Sequence, residues 1–85
     1  LSVGGFATRV AVAGTRAYVA VNDVGLAVVD VSNPASPALL GTFPIASSQV
    51  RSVAVSGTTA YVGRDDGFVV VDVTNPAAMT LLGQT

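Results

Sequence analysis

The sequence predicts an all-β chain of two four-stranded antiparallel units, and three observations carry that prediction. Two long segments recur nearly word for word at a spacing of 42 to 43 residues. Short runs rich in Val, Ala, Leu and Tyr alternate with clusters of Gly, Asn, Asp, Ser and Pro, as strands alternate with turns. The central runs are continuously apolar instead of alternating, which reads as burial on both faces.

The recurrence is specific. Gly14-Thr15-Arg16-Ala17-Tyr18-Val19 returns as Gly57-Thr58-Thr59-Ala60-Tyr61-Val62, and Leu39-Leu40-Gly41 returns as Leu81-Leu82-Gly83. The stretch Gly25-Leu26-Ala27-Val28-Val29-Asp30-Val31-Ser32-Asn33-Pro34 returns as Gly67-Phe68-Val69-Val70-Val71-Asp72-Val73-Thr74-Asn75-Pro76. Val10 and Val53 are 43 residues apart but Asp30 and Asp72 only 42, so one residue is lost between them. Continued past Thr85 into Leu1, the chain reaches Val10 in the same number of steps that separate Gly41 from Val53. The chain therefore reads as two whole repeat units.

In the first unit, strands are expected over 9–13, 17–21, 26–31 and 38–45, with turns at 14–16, 22–25 and 32–37. The second unit repeats this with 52–56, 60–63, 68–73 and 80–85, and no helix is expected. Four antiparallel strands in about 42 residues match one blade of a β-propeller in period and strand count. The runs at 26–29 and 68–71 suit the middle strands of a blade, which neighbouring blades cover on both sides. Small Ala and Val side chains suit sheets stacked about 10 Å apart. Pro44 belongs on an edge strand because it cannot donate to a ladder. Tyr18 and Tyr61 hold the same position in each unit and read as packing residues with a polar tip. The domain reading is a single two-blade unit over 1–85, with blade one at 9–45 and blade two at 52–85. Residues 1–3 align with Phe43-Pro44-Ile45 and would complete or extend an outer strand at the seam.

Composition points the same way. A chain of 85 residues folding alone buries only about 60% of its unfolded surface. Yet 51% of the residues are apolar and 11% charged, a poor recipe for a small isolated domain. The longest apolar runs fall far short of the roughly 20 residues a spanning helix needs. No signal peptide is visible and the first residue is not Met, which fits an excised, processed or engineered unit. The chain has no Cys, which excludes disulfides and thiolate chemistry. It has no His, which removes the commonest metal ligand and the usual general base. A net charge of −1 leaves no basic footprint for nucleic acid.

The motif from Gly25 to Pro34, followed by Pro37-Ala38-Leu39-Leu40-Gly41 and preceded by Ala17-Tyr18-Val19, resembles the LVIVD repeat of bacterial and archaeal β-propellers. Both units carry the resemblance. It implies a propeller platform, often secreted or at the cell surface, with no common catalytic site.

Two blades leave an apolar face at each end, and the two faces differ. Such surfaces pair head to tail, and the contacts either close into a ring or run on as a filament. The expected partner is the chain itself, in a homo-oligomer that completes the ring. Four chains would give eight blades and three would give six; four is favoured and five stays open.

Candidate ligand contacts are few. Arg9 and Arg51 precede the innermost strands and, multiplied around a ring, would form an anion-binding girdle; a solvated rim at the channel entrance is the favoured account of them. Asp23, Asp65 and Asp66 lie at hairpin tips and would offer oxygens to a cation, although Asp-Gly is also an ordinary turn signal. Asp30 and Asp72 read first as carboxylates that satisfy the turn before Pro, with a metal-binding carboxylate ring the lesser alternative. No catalytic residue, metal or cofactor is expected. The function read from the sequence is a structural self-assembling propeller module without catalytic activity. The alternative is a platform of a secreted or cell-surface protein whose loops bind a ligand or protein.

Overall fold

The structure is a computed structural model, and it describes residues 7–22, 24–45, 50–65 and 67–84. Each unit forms its own antiparallel meander. The first comprises β1 (Ala7–Ala13), β2 (Arg16–Val21), β3 (Gly25–Asp30) and β4 (Ala38–Pro44). The second comprises β5 (Val50–Ser56), β6 (Thr59–Arg64), β7 (Gly67–Asp72) and β8 (Thr80–Gln84). The four strands of each sheet lie in sequence order, so β1, β4, β5 and β8 are edges.

Glycine sets the tightest turns. Gly14 and Gly57 open two-residue loops with φ of 62° and 60°, a region that side chains with a Cβ disfavour and primed hairpin turns require. The sheets share their irregularities as well. β1 bulges between Ala7 and Arg9 and β5 between Val50 and Ser52, which leaves Thr8 and Arg51 as equivalent extra residues. β4 and β8 each bulge at the second leucine of Leu-Leu-Gly. The lost residue falls between β2 and β3: Val21 pairs Gly25 across three residues, whereas Arg64 pairs Gly67 across two.

The expected strands are all present, with ends shifted by one or two residues. Ala7 and Thr8 extend the first strand, Arg16 joins β2, and Val31 and Val73 fall just beyond β3 and β7. The expectation of no helix needs correction, because Pro76–Ala78 form a short 3-10 turn. Asn75 caps it by accepting from the Ala77 N–H, and Pro76 supplies a preset φ at its start.

The two sheets stack through opposite faces. Tyr18, Ala20, Leu26 and Val28 of the first meet Ala60, Val62, Val69, Val71 and Val73 of the second in one apolar cluster, to which Ile45 and Val50 also belong. Leu40, Phe43, Val53, Val55 and Met79 pack against it. Among the described residues no polar or charged side chain is buried there. Burying one Val or Leu fully contributes about 1.5–3 kcal/mol, so this contact is the main support of both sheets. We call the side of each sheet that carries Tyr18 or Tyr61 the tyrosine face, and its reverse the valine face. The contact is tyrosine face of the first unit on valine face of the second.

Candidate functional site

The recurring turn after β3 and β7 is built for local backbone satisfaction. Asp30 accepts from the Ser32 N–H at 2.8 Å, and Asn33 from the Ala35 N–H at 3.2 Å. In the second unit Asp72 accepts from the Thr74 N–H at 2.9 Å and from the Thr74 hydroxyl at 2.5 Å. Asn75 accepts from the Ala77 N–H at 3.1 Å. These bonds favour the ionised form and lower both carboxyl pKa values. For Asp30 the Ser32 backbone and side-chain bonds lead, with a smaller contribution from Arg16; for Asp72 the Thr74 side-chain bond leads, then its backbone bond. The carboxylates at these turns are occupied by their own chain.

Of the residues singled out as possible ring-face contacts, Asp23 and Asp66 lie outside the described residues, as does the proposed seam strand at 1–3. Arg9 and Arg51 do not precede their strands but lie within β1 and β5. Nor are they equivalent: Arg9 pairs opposite Ala20 and corresponds to Ser52, whereas Arg51 is the bulge residue that corresponds to Thr8. Arg51 forms an exposed ion pair with Asp65, so two of the candidates neutralise each other. Among the described residues no three acidic, His or Cys side chains cluster as a metal site. No helix of the described residues is long and apolar enough to cross a membrane.

A groove of about 210 Å³ lies where the two units meet, lined by Phe43, Pro44, Ile45, Arg64, Leu81 and Gln84. That volume is below the roughly 300–1,000 Å³ of typical small-molecule sites.

The larger feature is the open tyrosine face of the second unit. Tyr18 is 3% exposed and its counterpart Tyr61 is 44%. Leu26 is fully buried, and its counterpart Phe68 is 46% exposed. Leu40 packs against the inter-sheet cluster, whereas Leu82 is 57% exposed. At the other end Val10 and Val12 are exposed on the valine face of the first unit, while Val53 and Val55 pack against the cluster. Ala17, Ala27 and Val29 in the middle of that face are buried outside the inter-sheet cluster. Leu39 and Leu81 are similarly exposed in the two units, so their exposure says nothing about neighbours.

Glycine records the same asymmetry. A Cβ on Gly41 would stand 2.0 Å from the Pro76 carbonyl oxygen, because the 3-10 turn of the second unit lies directly on β4. A Cβ on Gly83, the counterpart, would meet nothing within 4 Å.

The covered contact also has a polar seam. The Thr8 hydroxyl donates to the Val50 carbonyl at 2.7 Å, and the Val50 N–H donates to Asn22 Oδ1 at 3.0 Å. A more distant link runs from Arg16 to the Val73 carbonyl at 3.5 Å. Sequence reasoning counted Asn22 only as a hairpin-tip residue beside Asp23, and missed Thr8 and Gly41. Only the last left a signal, as the recurring glycine of Leu-Leu-Gly.

No curated protein and no solved structure is significantly similar to the chain. The sequence model of the LVIVD repeat does match, twice, over residues 4–44 and 47–85. Its two matches coincide with the two stacked sheets. The chain belongs to the LVIVD repeat family, as a unit of two repeats.

Proposed function

We propose that the chain is a structural two-blade propeller module whose activity is assembly, through stacking of its open tyrosine face on the valine face of a second copy. The observation that carries this reading is the contact between its own two units. That contact buries Tyr18 and Leu26 under Ala60, Val62 and Val69, and Tyr61 and Phe68 hold the same places with 44% and 46% exposure. A contiguous apolar face of this kind marks an interaction surface. Because the two mating faces differ, repetition of the same contact leads to a ring or a filament. A ring of four chains with eight blades is the favoured closure, and three chains with six blades the next.

Catalysis is not part of this reading. The chain has neither Cys nor His, and the Asp30 and Asp72 carboxylates serve their own turns. The ligand-platform reading ranks second, because the groove between the units is small and open.

Solution mass tests the proposal, measured by light scattering or native mass spectrometry on the intact chain and on Gly83→Leu. The intact chain is expected as one closed species of four or three copies. Gly83→Leu is expected to remain folded, since a Cβ there meets open space, but to lose the assembly because Pro34 of the incoming copy has no room. A monomeric intact chain at every concentration would sink the idea.

A further inference from the structure

The seam that joins the two units has a counterpart in the second unit made of different residues. In the first unit, Thr8 supplies a donor to the Val50 carbonyl and Asn22 an acceptor for the Val50 N–H. Val50 begins β5, an edge strand, and an edge presents backbone groups that need partners. The repeat places Arg51 where Thr8 stands, as the bulge residue of the first strand. It places Asp65 where Asn22 stands, directly after the last paired residue of the second strand. A donor replaces a donor and an acceptor replaces an acceptor, and the pair is joined by an ion pair across the open face's margin.

We infer that Arg51 and Asp65 form a polar latch that grips the backbone of Ala7 in a second copy of the chain. Ala7 is the residue that holds Val50's position: it precedes the bulge of β1 and pairs Val21, as Val50 pairs Arg64. The Asp65 carboxylate accepts the Ala7 N–H, and the Arg51 guanidinium donates to the Ala7 carbonyl. The ion pair does not have to break. It engages Arg51 Nε and Asp65 Oδ1, which leaves the terminal guanidinium nitrogens and the second carboxylate oxygen. The ion pair already joins the two side chains before docking, so less side-chain freedom is lost when the partner arrives. This inference rests on the stacking reading and adds the residues that set its register and its sensitivity to salt.

Sedimentation equilibrium at low and high salt tests it, on the intact chain, Arg51→Ala, Asp65→Ala, and the double variant Arg51→Thr with Asp65→Asn. Each alanine variant is expected to weaken association about tenfold, the scale of a lost hydrogen bond to a charged group. The double variant installs the pair used in the first unit. It is expected to associate within about threefold of the intact chain, as one hydrogen-bonding pair replaces another, and to lose most of the salt dependence. If the intact chain assembles and the alanine variants assemble as tightly, the latch is overturned while stacking stands. Failure of the double variant to restore assembly has the same meaning. An intact chain that never assembles overturns both.

Discussion

Tyr18 and Tyr61 occupy one position of a repeated sequence, pair with the equivalent residues Val28 and Val70, and differ more than tenfold in exposure. Little in the local backbone separates them. The strands around them have the same length, the same hairpin glycine and the same bulges. What differs is the presence of a second sheet over one of them. The whole of β3 up to Val29 is buried, whereas β7 alternates between exposed Phe68 and buried Val69 and Val71. A repeat of this kind forms its strands by itself but acquires a core only from its neighbour.

The strongest way to break the comparison is to make one substitution in both units. Tyr18→Ala is expected to cost about 3–5 kcal/mol, since a large side chain leaves a packed interior. That loss should not change with protein concentration in urea melts. Tyr61→Ala should instead cost under about 1 kcal/mol in dilute monomer and show a concentration-dependent loss where copies associate. Equal, concentration-independent losses would show that the two faces are covered alike.

The glycine pair gives the next largest contrast. Gly41→Ala drives a methyl into the Pro76 backbone, and overpacking of that kind costs about 1–3 kcal/mol. Gly83→Ala is expected within about 0.5 kcal/mol of the parent in the monomer. Thermal unfolding of both variants side by side decides it, and a severe loss for Gly83→Ala would mean that β8 is already covered.

The carboxylate pair sharpens the comparison at the smallest scale. Both Asp30 and Asp72 are held below the ordinary value of 3.8, so each contributes stability above that pH and loses it as pH falls through the lowered folded value. Asp30→Asn and Asp72→Asn should each flatten the acid limb of the stability profile. Only Asp30 faces an arginine across the ladder; Thr59 stands opposite Asp72. Added salt should therefore raise the Asp30 pKa and leave that of Asp72 nearly unchanged, as read from side-chain carboxyl shifts in an NMR titration.

Much of the fold is legible in the sequence. The Val-Asp-Val-Ser/Thr-Asn-Pro segment identified its own turn, because short polar side chains followed by Pro can satisfy the backbone only locally. The ends of β1 and β5 were less legible. Thr8 and Arg51 are bulge residues, and a bulge interrupts the periodicity from which strand ends are read. Arg9 and Arg51 looked alike because each precedes an apolar run, yet register puts them at different places in the repeat. The 3-10 turn at Pro76–Ala78 gave little warning, since three residues are too few to show a helical period.

The sequence by itself determined the repeat, the strand count, the turn chemistry and the family. These depend on neighbours along the chain, where residue type acts through φ/ψ preference and local hydrogen bonds. Only the tertiary structure decided which tyrosine is covered, why Gly41 has no room and Gly83 does, and that Thr8 and Asn22 hold Val50 while Arg51 and Asp65 hold each other. Those properties arise when one sheet is laid on another, and two near-identical segments can differ in them because packing depends on what lies across the gap.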